Sequence, residues 1–159
     1  MSKPMVLFLC TGNSARSQMA EAFLRYHAGD QYDAHSAGLN PKGVHPLTIQ
    51  VMNEVDIDIS DYQSKSLNQY LGKTSPKWVI FVCEKAEQSC PHVWPFSLLT
   101  ESWKIEDPVA SNGDEFEQIM KFRMVRDQIE ARILEWITVN SVDSETKSQL
   151  ETEEVNDDE

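Results

Sequence analysis

The chain has 159 residues and a formal net charge of −12 at pH 7. This length is typical of one domain that buries a core without disulfides or structural metals. The acidic balance argues against nucleic acid as a partner, and no apolar run reaches the roughly 18 residues of a membrane span. The first apolar run, residues 5–9, is too short for a signal peptide. We therefore expect a cytoplasmic monomer whose three cysteines are thiols.

The charge is concentrated at the C-terminal end. Residues 141–159 contain eight acidic residues and one lysine, so this short segment accounts for −7 of the net charge. It has few large apolar residues with which to offset the entropy of ordering. We predict one domain over residues 1–140 and a disordered, solubilising acidic tail over 141–159, with a docking tail as the alternative.

The first half of the chain alternates short apolar runs with amphipathic ones. The segment "VLFLC" predicts a buried parallel strand that ends at Cys10. "SQMAEAFLRYHAG" predicts a helix that stops at Gly29, and "YDAHSAG" predicts a second strand. "HPLTIQVMNEV" predicts a second helix with Pro46 in its first turn, and "SLNQYLG" a short one.

The second half continues this alternation. "KWVIFVC" predicts a strand that ends at Cys83, and "LLTESWKIEDP" contains the last strand. A long helix follows over residues 113–139, with one apolar side that we predict is core: Phe116, Ile119, Phe122, Val125, Ile129, Ile133 and Trp136. The order predicts an α/β, three-layer sandwich of the flavodoxin-like (Rossmannoid) type around a parallel sheet. Ligands bind such sheets where the strands end, and two strands end there in a cysteine.

The segment C-T-G-N-S-A-R-S joins the first strand to the first helix. Small residues in a tight turn allow backbone N–H groups to converge on an anion, and the helix N-terminus adds positive charge. We predict that a tetrahedral oxyanion binds to this loop, which consists of Thr11, Gly12, Asn13, Ser14, Ala15, Arg16 and Ser17. Arg16 would supply a bidentate fork, and the same donors should make Cys10 a nucleophilic thiolate. The alternative is a small buried cysteine at a strand end.

The C-x5-R-S loop, together with "SQMAEAF" and "EDPVA", resembles the low-molecular-weight tyrosine phosphatase superfamily. That resemblance implies a fold with a central four-stranded parallel sheet and a general acid at Asp107. Phosphatases of this kind usually carry aromatic residues directly after the Asp-Pro pair. Here Val109 and Ala110 follow, so a phosphotyrosine ring has no obvious platform.

The segment "CEKAEQSC", together with "HSAG" and "EVDIDIS", resembles the thioredoxin-coupled arsenate reductases. The resemblance implies that arsenate is the substrate, with phosphate or sulfate as competing anions. It also implies a disulfide relay through Cys10, Cys83 and Cys90, with thioredoxin as the electron donor and no bound cofactor. In a helix, Cys83 and Cys90 would lie roughly 10 Å apart along the axis. A disulfide needs Cα atoms within about 7 Å, so the relay requires the segment between them to move.

Other functions stay open at this point. Cys83 and Cys90 could be unrelated cysteines, or zinc ligands together with His92, although C-x6-C lacks the usual zinc spacing. The whole chain could be a phosphatase for phosphotyrosine or small phosphomonoesters. It could also be a non-enzymatic regulator that binds oxyanions or metalloids, which would have no use for the second and third cysteines.

Four residues match a potassium site that the resemblance implies for some arsenate reductases: Asn13, Glu21, Ser36 and Lys65. An acid would be expected at the last position, where this chain has a lysine. A lysine ammonium is a compact monovalent cation. Our hypothesis is that Lys65 places its own charge near the metal position, the alternative being a surface lysine.

Overall fold

The computed structural model describes residues 3–83, 99–110 and 113–156. Four strands and three helices form in these ranges: β1 (Met5–Cys10), α1 (Arg16–Ala28), β2 (Asp33–Gly38), α2 (Pro46–Asn53), β3 (Trp78–Phe81), β4 (Leu99–Ser102) and α3 (Glu115–Asn156). Two short 3₁₀ turns occur at Leu67–Gln69 and Pro108–Ala110. No helix among the described residues is long and apolar enough to cross a membrane.

The four strands form one parallel sheet in the order β2-β1-β3-β4. Strand β1 therefore lies between β2 and β3. The connection after β1 leads to β2 on one side of it, and the connection after β2 leads to β3 on the other side. Such a reversal opens a crevice at the carboxyl ends of the central strands. Leu9 pairs with Phe81, so the residues that follow β1 and β3 meet at one edge. The predicted α/β fold with a four-stranded parallel sheet is confirmed.

Burial of apolar side chains accounts for the packing of the helices. Strand β1 is buried from Val6 onward, and helix α1 covers it with Met19, Phe23 and Leu24, which are fully buried. Helix α3 packs against α1 and α2. Its predicted core residues Phe122, Val125, Ile129, Ile133 and Trp136 are buried, and Ile119 is partly buried.

Phe116 is the exception on this side of α3. Its side chain is 70% exposed, so the prediction that it belongs to the core is wrong. Helical periodicity identifies the side of a helix that faces the protein, but it does not show how far along the helix the protein extends. Burial decreases along this side of the helix from Phe122, which is buried, through Ile119, which is partly buried, to the exposed Phe116 in the first turn.

Two other segments differ from the sequence prediction. The backbone of residues 141–156 continues helix α3, where we expected a disordered tail. Extending an existing helix adds one hydrogen bond per residue without a new nucleus, and the glutamates, the one glutamine and the one lysine there have good helix propensity. The domain boundary at 140 stays a prediction. The short helix expected at "SLNQYLG" is only the 3₁₀ turn Leu67–Gln69, capped by Ser66.

Candidate active site

Cys10 is the last residue of β1, and its thiol is held from two directions. The Cys10 side chain is 2% exposed. The Ser17 hydroxyl oxygen lies 2.8 Å from its sulfur, and the backbone N–H of Asn13 donates to the sulfur at 3.1 Å. Ser17 is in the first turn of α1, so the strand end, the loop and the helix start all fix one sulfur atom.

Burial raises the pKa of the Cys10 thiol above its ordinary value. The hydrogen bonds from Ser17 and Asn13 and the positive charge of Arg16 act in the opposite direction, but they do not outweigh the loss of solvent. The direction is opposite to the lowered pKa that we predicted from the sequence. That prediction counted the donors around the sulfur and did not include how completely the loop and core enclose it.

The carbonyl groups of the loop are bound on its outer side by residues 39–45 and Ser64. The hydrogen bonds include Leu39 N to Cys10 O (3.2 Å), Asn40 N to Thr11 O (2.8 Å), Lys42 N to Gly12 O (3.0 Å), His45 N to Ser14 O (3.0 Å) and Ser64 Oγ to Asn13 O (3.0 Å). In a trans peptide the following N–H points away from the carbonyl. The amides of the loop are therefore directed inward, as the bond from Asn13 N to the Cys10 sulfur illustrates.

This inward direction gives the loop the geometry that binding of an anion requires. The backbone N–H groups of Gly12, Ser14 and Ala15 have no hydrogen-bond acceptor among the described residues. Buried or partly buried N–H groups are stabilised by a hydrogen-bond acceptor, and a tetrahedral oxyanion supplies several acceptors at once. Gly38 at the end of β2 permits this arrangement. A Cβ there would lie 2.8 Å from Thr11 O and 2.9 Å from Asn13 N, so any side chain would push the loop away.

Asn13 is buried beneath the loop and does not line the pocket. Its φ of 48° is left-handed, a conformation that asparagine tolerates better than most residues. Its side-chain amide donates to Ser17 Oγ at 2.7 Å and to Ser36 Oγ at 3.0 Å. Its side-chain oxygen accepts from Lys65 N at 2.8 Å and from Gln18 Nε2 at 2.9 Å. Asn13 and Ser17 thus support the nucleophile from below, and sequence reasoning did not identify Gln18.

The four residues of the predicted cation site form one connected network. Glu21 is buried, and its Oε1 atom accepts from Ser36 Oγ at 3.3 Å and from Lys65 Nζ at 3.2 Å. Ser36 in turn accepts from Asn13. The ammonium group of Lys65 also lies 3.5 Å from Gln63 O. The positive charge beside the buried Glu21 carboxylate is therefore supplied by a side chain of the protein, Lys65.

Arg16 and Asp107 line the same pocket as Cys10 and lie close to each other. The guanidinium of Arg16 donates to Ile105 O at 3.0 Å and lies 3.6 Å from the Asp107 carboxylate. The other oxygen of that carboxylate accepts from Val109 N at 3.0 Å. Asp107 has a side chain that is 42% exposed, compared with 12% for Arg16. The carboxyl group is thus aimed by a single backbone N–H and a loose ion pair.

Cys83 follows β3 and lines the same pocket as Cys10. Its side chain is buried, and the Thr11 hydroxyl lies 3.5 Å from its sulfur. The pocket has a volume of about 670 Å³ and is also lined by Val109 and by two residues that sequence reasoning missed, Lys42 and Ile105. Lys42 is on a loop without any motif, so only the three-dimensional arrangement reveals it. Cys90 lies outside the described residues.

The described residues include no cluster of three or more His, Cys, Asp or Glu side chains that could hold a metal ion. The zinc alternative involved Cys90 and His92, which both lie outside the described residues. No aromatic side chain lines the described part of the pocket. Val109 lies where an aromatic platform for phosphotyrosine would be expected, as the sequence indicated.

A strand–loop–helix that cradles an oxyanion beside a buried cysteine, with an Asp-Pro acid opposite, defines a class of cysteine-dependent enzymes. The chain belongs to the family described as low molecular weight phosphotyrosine protein phosphatase, whose profile matches residues 5–149. The membership expected from the C-x5-R-S loop is confirmed.

Within that family, the chain is similar to arsenate reductases. It is 41% identical over 133 residues to an arsenate reductase of Shouchella clausii, which covers 84% of this chain and 94% of the relative. A solved structure described as an arsenate reductase in the phosphate binding state has a TM-score of 0.70 and 31% identity over 85% of this chain and 97% of the other. A thioredoxin-dependent arsenate reductase of Corynebacterium glutamicum has a TM-score of 0.65 and 27% identity, over 89% of this chain and 63% of that one.

Proposed function

We propose that this chain reduces arsenate to arsenite through a relay of its three cysteines and that thioredoxin restores the thiols. The observation that carries the proposal is that Cys10 and Cys83 line one pocket beside the oxyanion cradle. A phosphatase of this family needs a single sulfur atom. A reductase needs a second sulfur within reach of the first, because arsenic(V) must accept two electrons.

The first step uses the cradle, Cys10, Arg16 and Asp107. The inward N–H groups and the Arg16 fork hold three oxygens of arsenate. The Cys10 thiol passes its proton to an oxygen of the bound arsenate, the sulfur attacks arsenic, a sulfur–arsenic bond forms, and one arsenic–oxygen bond breaks. Asp107 protonates the departing oxygen, which leaves as water. Its partial exposure and single backbone bond leave the carboxyl group free to meet that oxygen.

The second step transfers the electrons. The thiolate of Cys83 attacks the sulfur of Cys10, so a disulfide forms and the sulfur–arsenic bond breaks. The electron pair of that bond remains on arsenic, which leaves as arsenite. Thr11 is placed to stabilise the attacking sulfur, since its hydroxyl lies 3.5 Å from it. Cys90 then attacks Cys83 and frees Cys10. The Cys83–Cys90 disulfide is finally reduced by the dithiol of thioredoxin, which the named relative of Corynebacterium glutamicum also depends on.

A turnover assay of the Cys90→Ser variant tests this relay. Arsenite is measured in the presence of thioredoxin, thioredoxin reductase and NADPH, with Ser89→Ala as a neighbouring control. Wild type and the control should turn over many times. Cys90→Ser should release about one arsenite per molecule and accumulate a Cys10–Cys83 disulfide, which mass spectrometry after proteolysis would identify. Multiple turnovers by Cys90→Ser would remove Cys90 from the mechanism.

Phosphatase activity is the second candidate, because the cradle, Cys10 and Asp107 are the elements that phosphoryl transfer to cysteine requires. We expect slow hydrolysis of a small phosphomonoester and little preference for phosphotyrosine, since Val109 offers no ring platform. The Cys83→Ser variant separates the two functions. It should retain hydrolysis of para-nitrophenyl phosphate and lose arsenite release. Parallel loss of both would contradict the division of roles between the two cysteines.

We also propose that Lys65 takes the place of a potassium ion. Its ammonium lies 3.2 Å from the buried Glu21 carboxylate, which is joined through Ser36 to Asn13 below the nucleophile. Wild-type activity should therefore be the same in potassium and sodium chloride at equal ionic strength. Lys65→Asp should lose activity in sodium and regain part of it in potassium. A clear rate increase of the wild type with potassium would reject the proposal.

A further inference from the structure

Lys42 places a second cation at the mouth of the active-site pocket. It is exposed and lies in the segment that binds the outer side of the loop, where its backbone N–H donates to Gly12 O at 3.0 Å. Its side chain follows the loop. A Cβ built on Gly12 would lie 3.7 Å and 3.8 Å from Lys42 Cδ and Cγ, an ordinary van der Waals distance. The side chain is among those that line the pocket.

The charges around the pocket show why this lysine matters. The charged side chains that line its described part are Arg16, Lys42 and Asp107. Arg16 and Asp107 are 3.6 Å apart, so their charges largely cancel at a distance. No carboxylate of the described residues forms an ion pair with Lys42. Because the chain carries a net charge of −12, an approaching dianion is repelled overall, and Lys42 provides the local positive potential that opposes this.

We infer that Lys42 is a substrate-capture and specificity residue that selects dianionic tetrahedral oxyanions over monoanionic ones. The inference deepens the function proposed above and rests on it for the identity of arsenate as substrate. A point charge at the rim interacts about twice as strongly with a dianion as with a monoanion. Lys42 therefore makes the affinity of the pocket depend on the ionisation state of the ligand. Neutral backbone donors produce a much weaker dependence.

Binding of phosphate and sulfate to the full chain provides the test, because it requires no turnover. Calorimetry compares wild type, Lys42→Gln and Lys42→Arg, with Lys73→Gln as a control that removes the same charge from an exposed lysine outside the pocket. Above the second ionisation of phosphate, Lys42→Gln should weaken binding about tenfold. Lys42→Arg should stay within about threefold of wild type, since it keeps the charge, and Lys73→Gln within about twofold.

The pH dependence makes the test specific. Sulfate remains a dianion across the range in which phosphate passes from monoanion to dianion. The loss of affinity caused by Lys42→Gln should grow with pH for phosphate and stay constant for sulfate. The sulfate series also controls for titration of the protein itself. A loss no greater than that of Lys73→Gln, or a phosphate loss that does not change with pH, would overturn the inference.

Kinetics then separates this inference from the proposed function. The Lys42→Gln variant should raise the KM for arsenate about tenfold and change kcat less than about twofold, because the charge assists binding and not the sulfur transfer. If the chain releases no arsenite, the reductase proposal fails, while the phosphate and sulfate measurements still decide the role of Lys42.

Discussion

The pocket has two walls that differ in how firmly their side chains are held. The nucleophile wall comprises residues 10–17 with their supports, and in it Asn13 alone makes four side-chain hydrogen bonds while fully buried. The acid wall comprises residues 105–109. There Asp107 has one backbone hydrogen bond, one ion pair at 3.6 Å and a side chain that is 42% exposed. Rigid support is concentrated around the sulfur that we propose as the nucleophile, and solvent access at the carboxyl group that we propose as the proton donor.

The largest expected effect comes from the acid wall. Asp107→Asn should lower kcat about 100-fold to 1,000-fold, because the departing oxygen loses its proton donor. The melting temperature should change little, since the side chain is partly exposed and the amide oxygen can still accept from Val109 N. Steady-state kinetics and thermal unfolding check both parts, with the exposed Asp61→Asn as the charge-matched control. A large fall in melting temperature would show that this wall is structural after all.

The nucleophile wall should respond in the opposite manner, by losing stability as well as activity. Asn13→Ala removes four side-chain hydrogen bonds, three of them buried, and leaves at a φ of 48° a residue that tolerates this conformation less well than asparagine. We expect the free energy of unfolding to fall by about 2–4 kcal/mol and kcat/KM by about 100-fold. Urea unfolding and kinetics measure these changes. Asn53→Ala, at the exposed end of α2, is the control and should be close to wild type in both.

A smaller change tests the bond between Ser17 and the nucleophile. Ser17 lowers the pKa of the Cys10 thiol against the effect of burial, so Ser17→Ala should raise that pKa further. The rate of alkylation by iodoacetamide should therefore rise at a higher pH than in wild type. We expect kcat/KM near neutral pH to fall about tenfold, whereas Ser60→Ala, on the exposed surface, should leave it unchanged. An alkylation profile that moves to lower pH would contradict the assigned direction.

The smallest expected effect concerns His45, which joins the loop to helix α2. Its Nδ1 atom accepts from Leu47 N at 3.1 Å, and its backbone N–H donates to Ser14 O. Burial lowers the pKa of His45, opposed by the Asp107 charge. The stability from neutral His45 is therefore present above its ordinary pKa and lost as pH falls through the lowered value.

His45→Asn keeps a capping side chain without this titration. Wild type should lose roughly 2–4 °C of melting temperature relative to His45→Asn as the pH falls through that range. The His27→Asn variant, which removes a histidine from helix α1, corrects for general effects of losing a histidine. A difference between wild type and His45→Asn that is constant with pH would reject this role.

The motif of residues 10–17 and the segments around it differ in how well the sequence predicted them. The nucleophile wall follows from a local motif, since a strand, a small-residue loop and a helix are adjacent in the chain, and parallel strands bring Cys83 to the same edge. The carbonyl contacts of residues 39–45 and the position of Lys42 could not be predicted, because they join segments without a motif of their own. The direction of the Cys10 pKa was mispredicted for a related reason. Burial of one sulfur depends on every element around it.

The contacts to the loop carbonyls have a consequence for transplanting this site. A designer who copied residues 10–17 into another strand–helix junction would move the motif but not the parts that set its shape. The hydrogen bonds to the loop carbonyls include those from residues 39, 40, 42, 45, 48 and 64, and clearance comes from Gly38. Without these, the peptide planes would be free to rotate and the N–H groups would no longer converge. The smallest portable unit is therefore residues 10–17 together with the end of β2, residues 39–48 and Ser64.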